Sequence, residues 1–284
     1  MVKNLNVHFP SPKGDIHAVR NISFSVGKKK VGIVGESGSG KSVTGRAILK
    51  LLPSHTRITA DKIQFKGENL LEKNEKEMRK IRGQGISMVM QDPQYSLNPV
   101  RCVGRQIREA YLAHRRVSKK EARDKTLAML EAVQIRDPER VYGLYPHEVS
   151  GGMGQRIMIA MMLIPEPSLL IADEPTSALD VTIQLQVLAI LDDLVTKRGM
   201  GLIFISHDLE LVSSFCDEVI IMYAGQIMEI CSAKDLHRSS HPYTRGLLNC
   251  LPKIQGHVDF LPILNRDEAW LNESWPNESW PNGS

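Results

Sequence analysis

One stretch constrains the chain more than any other: Gly35-Glu36-Ser37-Gly38-Ser39-Gly40-Lys41-Ser42, set between the apolar run Val31–Val34 and the segment opening at Val43. A strand, a glycine-rich turn and a helix start, in that order, are the context a phosphate-binding loop requires. Glycines let the backbone curl until its N–H groups converge, and the helix N-terminus adds partial positive charge at the same point. Lys41 supplies a mobile charge for the β- and γ-phosphates of a nucleotide, and the Ser42 hydroxyl suits Mg²⁺. The bland alternative is a βα turn with no ligand, and the joint register of Gly35, Gly40, Lys41 and Ser42 argues against it.

Around this loop the chain has 284 residues, 42% of them apolar and 24% charged, enough for a sizeable core. The net charge of +4 is too mild to argue for nucleic acid. No run of about 18 apolar residues occurs, and Met1–Val7 lacks the layout of a secretion signal. The expected place is therefore the cytoplasm, with the membrane reached only through partners. Cys102, Cys216, Cys231 and Cys250 have no CxxC spacing, so buried thiols are expected rather than zinc or disulfides.

The chain opens with β-rich segments at Leu5–Phe9 and Ala18–Val26. Phe9 ends the first of them, before a polar loop, where an aromatic ring can stack on adenine; a plain core role and the rival ring of His17 stay open. A charged helix is expected over Leu71–Arg82. A strand from Gly85 leads to Gln91, placed where open α/β sheets put ligand contacts, although an ordinary loop residue reads the same way. Residues 100–148 look helical, with a capping box at Ser118–Glu121 and Ala122, Leu127, Leu130 and Val133 on one face.

Val149-Ser150-Gly151-Gly152-Met153 then enters a helix. Ser150 suits an N-cap, and two glycines expose N–H groups there, a second potential anion site. The buried-strand run Ser168–Ala172 ends in Asp173-Glu174, two carboxylates able to hold Mg²⁺ and polarise a water. Ser177–Asp180 precedes another helix, and the strand Gly201–Ser206 ends at His207, able to reach a γ-phosphate or a catalytic water. Asp217–Ile230 reads as a hairpin turning at Ala224-Gly225. Met153, Met158, Met161 and Met162 read as helix-face core. The end repeats Asn272-Glu-Ser-Trp-Pro276 as Asn277–Pro281, the composition of a disordered tail.

Taken together, these motifs resemble the ATP-binding cassette (ABC) family over roughly residues 2–252: the P-loop at 35–42, Gln91, the signature Val149–Met153, the Walker B pair Asp173 and Glu174, the D-loop Ser177–Asp180 and the switch His207. The resemblance implies an α/β P-loop NTPase with a RecA-like core, an N-terminal antiparallel β-subdomain and an α-helical subdomain inserted at about 93–155. Residues 253–284 form a C-terminal extension. It further implies a head-to-tail pair in which each ATP lies between one P-loop, Gly35–Val43, and the other subunit's Ser150, Gly151 and Gly152. Glu174 is then the general base, His207 steadies the γ-phosphate, Gln91 and Asp173 join Ser42 at Mg²⁺, and Asp180 lies at the dimer seam.

Gln91–Pro99, the Ser-Gly-Gly-Met-x-Gln-Arg stretch and His241–Leu248 are similar to the ATPases of bacterial dipeptide, oligopeptide and nickel importers. That likeness implies a second ABC ATPase subunit of different sequence, two membrane permeases and a substrate-binding protein, at the cytoplasmic face of the inner membrane. The turn Gly27–Lys30 looks a residue short. No cysteine-bearing tail follows Pro252, so no iron–sulfur cluster is expected, and nickel or a metal chelate stays open as the alternative cargo. Soluble cassette ATPases acting on DNA or ribosomes usually carry two cassettes in one chain, long coiled coils or zinc modules, and this chain shows none. A P-loop kinase leaves Ser150–Met153 and His207 unexplained.

Overall fold

Apolar alternation, interrupted at two asparagines, sets the N-terminal strands. Along β1 (Val2–Phe9) the chain buries Val2, Leu5 and Val7, and along β2 (Ile16–Phe24) it buries Val19, Ile22 and Phe24. Asn4 and Asn21 take left-handed backbone angles, φ 52 and 50, and the register slips between Val2 and Leu5. That bulge converts a spacing of three into one covered face, where strict alternation would have turned Leu5 to the wrong side.

The computed structural model describes residues 1–91, 96–177, 179–250 and 270. These gather into two units, one built from Met1–Ser25, Lys29–Leu71 and the described chain from Ser206 onward, the other from Val26–Lys28 and Glu72–Ile205. Elements are numbered along the chain. The repeat at 272–281 lies outside the described residues, as does Ala178 of the expected D-loop.

In the first unit β1 pairs antiparallel with β2, with β4 (Arg57–Thr59) and with β5 (Lys62–Phe65), and β5 pairs with β6 (Glu68–Asn69). This is the antiparallel β-subdomain that the family resemblance implies, although β2 begins at Ile16 and ends at Phe24 rather than spanning Ala18–Val26. A second group sets β3 (Lys30–Val34) parallel to β10 (Glu218–Tyr223), Ile33 against Ile220, and folds β10 back on β11 (Gln226–Ser232). The hairpin turns at Ala224 and Gly225, φ 45 and 85, the paired left-handed geometry that matches strand twist. Helix α1 (Lys41–Ile48) follows β3. Helix α8 (Leu209–Phe215) lies so close to β3 that a Cβ on Gly32 would come within 2.1 Å of Val212.

In the second unit β7 (Ile86–Val89) and β9 (Gly201–Ser206), whose last residue lies across the division, flank β8 (Leu169–Asp173), all parallel. Their near-continuous burial is what strands covered on both faces require. Helix α2 (Glu75–Ile81) is shorter than the expected Leu71–Arg82. Asn74 and Glu77 form a reciprocal capping box that fixes its start, and a 3₁₀ turn at Leu70–Glu72 precedes it.

The expected helical stretch divides into α3 (Val103–Leu112), α4 (Lys119–Ala132) and α5 (Pro138–Gly143), followed by α6 (Gly151–Leu163), which runs unbroken past residue 155. Helix α7 is Val181–Arg198. Helix α3 packs on α4, α5 and α6, and Gly104 makes the α5 contact possible, since a Cβ there would meet the Tyr142 ring at 2.1 Å. Ser118 Oγ accepts from the Glu121 N–H, one half of the expected box. On α4 Ala122 and Leu130, and at its C-cap Val133, are buried as expected and Leu127 only half so; Thr126 and Met129 join the core.

Two core expectations need correction. Of the four methionines only Met158 is fully buried, because Met153, Met161 and Met162 face the margin of α6. Of the four cysteines only Cys216 is buried and the others are half-exposed. Burial pushes the Cys216 and Cys231 thiols up to about 12, which leaves them protonated and inert.

Candidate functional site

Steric necessity fixes the glycine loop of the first unit. A Cβ on Gly35 would stand 2.0 Å from the Met222 carbonyl oxygen, and one on Gly40 would stand 2.6 Å from that of Ala18. Gly40 caps α1 with φ 98, and Gly38 has φ 83 in open space. Glycine therefore answers to close backbone approach at 35 and 40, and to conformation alone at 38.

Inside the loop Lys41, 5% exposed, directs Nζ to the carbonyl oxygens of Gly35 and Glu36, both at 2.8 Å. Nζ also faces Ser39 Oγ at 3.5 Å. The Ser39 N–H donates to Glu36 O at 3.1 Å, and the Ser39 carbonyl accepts from the Gly225 N–H at 3.1 Å. Glu36, Ser37 and Gly38 form the accessible rim, while Ser42 and Val43 are half-buried on the first turn of α1. The ammonium group thus shapes the loop from within, and its charge and three donors suit an incoming anion.

Phe9 is half-buried at the end of β1, paired in register with Ile16. Its rival, His17, stacks on His8 with centroids 3.9 Å apart and shares a 3.0 Å hydrogen bond with Asn6. Desolvation first, then the neighbouring His8 and Arg20, hold the His17 imidazole below its ordinary pKa. One face of that ring is therefore already occupied by the sheet. His207 follows β9, is exposed, and precedes Asp208, whose carboxylate caps α8 through the Leu211 N–H at 2.9 Å.

The second unit gathers Gln91, Asp173 and Glu174. Asp173, the last residue of β8, is 1% exposed. Glu174 takes φ 47, donates its N–H to Ile205 O at 2.9 Å, and accepts at Oε2 from Gln91 Nε2 at 3.2 Å. Gln91 lies two residues beyond β7, so adjacent strand ends deliver both partners. The turn after Glu174 is tied by Ser177, whose Oγ and N–H both donate to the Glu174 carbonyl.

Ser150 caps α6 through the Met153 N–H at 3.4 Å, and Asp180 caps α7 through the Ile183 N–H at 3.0 Å. A Cβ on Gly152 would approach Ile183 Cγ2 to 2.8 Å, so the first turns of α6 and α7 lie side by side. Gly151 borders open space, which leaves its N–H region accessible. Gln155, 2% exposed, donates its side-chain amide to the Pro175 carbonyl, a link from α6 to the turn behind Glu174. Sequence reasoning passed over Gln155. Its only signal is a polar residue on the apolar side of a helix, a position that demands a hydrogen-bond partner. Arg156 is anchored by bonds to the Gly152 and Gln134 carbonyls, and burial lowers its pKa.

A family profile described as ABC transporter matches residues 19–177. A probable peptide ABC transporter ATP-binding protein of Sinorhizobium fredii is 52% identical over 265 residues, 92% of this chain and 79% of that protein. The dipeptide transport ATP-binding protein DppD of Bacillus subtilis is 49% identical over 89% of this chain and 76% of its own length. Among solved structures, the dimeric post-hydrolysis state of the ATP-binding cassette MJ0796, bound to ADP and Pi, superposes with a TM-score of 0.71 at 25% identity, covering 82% of this chain and 98% of that one. Among the described residues no helix is long and apolar enough to cross a membrane.

Proposed function

Since the chain belongs to the ABC transporter family, we propose that it is the ATP-binding and ATP-hydrolysing subunit that energises a peptide importer. Its fold is the α/β P-loop fold of the ABC ATPases. The observation that carries the chemistry is the Gln91–Glu174 hydrogen bond beside the buried Asp173. It holds one carboxylate in a fixed direction by an amide donor, next to a second that ends a strand, and so supports a role for the pair at the attacking water. The cargo class rests on the relatives, whose names specify peptide and dipeptide transport.

The roles are those that the family likeness implies, and the chemistry of the residues suits them. Backbone N–H groups of Gly35–Val43 and the Lys41 ammonium receive the triphosphate, and Phe9 stacks on adenine. Mg²⁺, when bound, neutralises phosphate charge, and Ser42, Gln91 and Asp173 offer it the hydroxyl, amide and carboxylate oxygens that suit a hard cation. Gln91, with its nitrogen on Glu174, keeps its amide oxygen for that task. Glu174 accepts a proton from the attacking water, and His207 steadies the γ-phosphate. Ser150, Gly151 and Gly152 serve the nucleotide of a second cassette subunit, with Asp180 at the seam. The pair works beneath two membrane permeases fed by a substrate-binding protein, at the cytoplasmic face of the inner membrane.

Reconstitution with the permeases and the binding protein tests this. ATP turnover should rise when peptide-loaded binding protein is added, and chelated nickel should have no effect. Stimulation by chelated nickel alone would overturn the peptide reading.

A further inference from the structure

Tyr223 ends β10, one residue before the Ala224-Gly225 turn, and its ring meets that of Tyr243 at 4.7 Å between centroids. Tyr243, fully buried, belongs to α9 (Pro242–Asn249), whose cap is His241: its Nδ1 accepts from the Tyr243 N–H at 3.1 Å. Glu229 of β11 accepts from Ser239 Oγ and, at 2.6 Å, from Thr244 Oγ1, which ties α9 to the same hairpin. Trp270, far along the C-terminal extension, completes the cluster. Its ring lies 5.6 Å from Tyr243 and 5.9 Å from Tyr223, edge-on to the latter.

Just past Tyr223, Gly225 donates to Ser39 O at 3.1 Å and accepts from the Arg20 N–H at 2.7 Å, while the Met222 carbonyl occupies the space a Cβ on Gly35 would need. The phosphate loop is thus braced at Gly35 and Ser39 by one hairpin, and Tyr223 at its tip is gripped by two further rings, Tyr243 and Trp270.

We infer that Trp270 is a positioning residue for nucleotide binding: by clamping Tyr223 against Tyr243 it holds the β10–β11 turn, and through it Ser39 and Gly35, in the geometry that receives the triphosphate. The clamp gives Tyr243 of the His241-Pro-Tyr-Thr stretch a task, as a ring against which Trp270 packs. It rests on the ATP-binding role proposed above and deepens it. Coupling of this kind is reciprocal, so ATP in the loop must tighten the aromatic contact by the same factor by which the contact tightens ATP.

The full-length chain provides the test. Of its three tryptophans, Trp275→Phe and Trp280→Phe leave Trp270 as sole reporter, and its emission should shift and saturate with ATP at the Kd found calorimetrically. Trp270→Ala should raise the ATP Kd about three- to tenfold, the value of an aromatic pair, with kcat at saturating ATP changed less than about twofold. Trp270→Phe should restore most of the affinity. Emission indifferent to ATP overturns the clamp even where Trp270→Ala fails to fold. Unaltered affinity in Trp270→Ala, beside a wild type that binds, overturns it as well and leaves the proposed function standing. A wild type without affinity for ATP overturns both.

Discussion

Glu174 occupies a left-handed backbone angle that costs a side-chain-bearing residue about 1–2 kcal/mol. The structure sustains it with an N–H bond to Ile205 and two bonds on its carbonyl from Ser177, so the carboxylate leaves the strand end in a fixed direction toward Gln91. Other non-glycine residues, Lys66 and Glu166 among them, take the same region, so the angle by itself marks no function; what it does at Glu174 is fix the direction of the carboxylate. Replacing Glu174 by Gln preserves shape and removes the proton acceptor; kcat should fall by about 10²-fold or more while ATP affinity is kept. Phosphate release and calorimetry on the same preparation check this, and unchanged turnover would remove Glu174 from the role of base. The places of Lys41 at a helix start, of Asp173 and Glu174 at a strand end and of Gln91 just past another were legible because each sits at a fixed offset from a strand or turn signal. The Gln91–Glu174 and Gln155–Pro175 bonds were not, since they join residues 83 and 20 positions apart and depend on strand order and helix packing.

Among the elements, the phosphate loop separates two reasons for glycine that a motif treats alike. Gly38 has φ 83 and open space for 4 Å around the point a Cβ would take, whereas Gly40, φ 98, faces the Ala18 carbonyl at 2.6 Å. Gly38→Ala should therefore cost only its conformational strain, about 1–2 kcal/mol in urea unfolding. Gly40→Ala adds a clash with backbone that cannot rotate away, and should displace β2 or the start of α1 and cut ATP affinity by more than about tenfold. Comparable affinity in the two variants would show that conformation alone shapes the loop. Periodicity and turn chemistry made the β10–β11 hairpin legible, Ala224-Gly225 included, and Ser118 and Ser150 announced their helices. Strand β2 starts and stops two residues earlier than Ala18–Val26, with a bulge at Asn21 between its buried positions, and the expected Leu71–Arg82 helix lost its first turn to the Asn74 cap. Both misses are short-range backbone events that an apolar pattern averages over.

At the scale of the whole molecule, the first turns of α6 and α7 set the question of what completes the site. Gly151 and the exposed side chains of Val181 and Leu185 border solvent there, beside the caps of Ser150 and Asp180, each of which closes on its own helix. If that surface serves the ATP of a second cassette, the two halves of one reaction centre can be inactivated in different polypeptides. Lys41→Ala disables the loop that receives phosphate, and Ser150→Ala disables the surface offered to the neighbour. Each variant alone should be nearly inactive. Mixed in equal amounts, where the chain pairs with its own copies, half of the pairs are mixed and each holds one intact centre of two, so about a quarter of wild-type turnover should return. In a preparation shown by sedimentation to pair with its own copies, a mixture no more active than its components means that both halves lie within one subunit, and the paired-cassette mechanism fails.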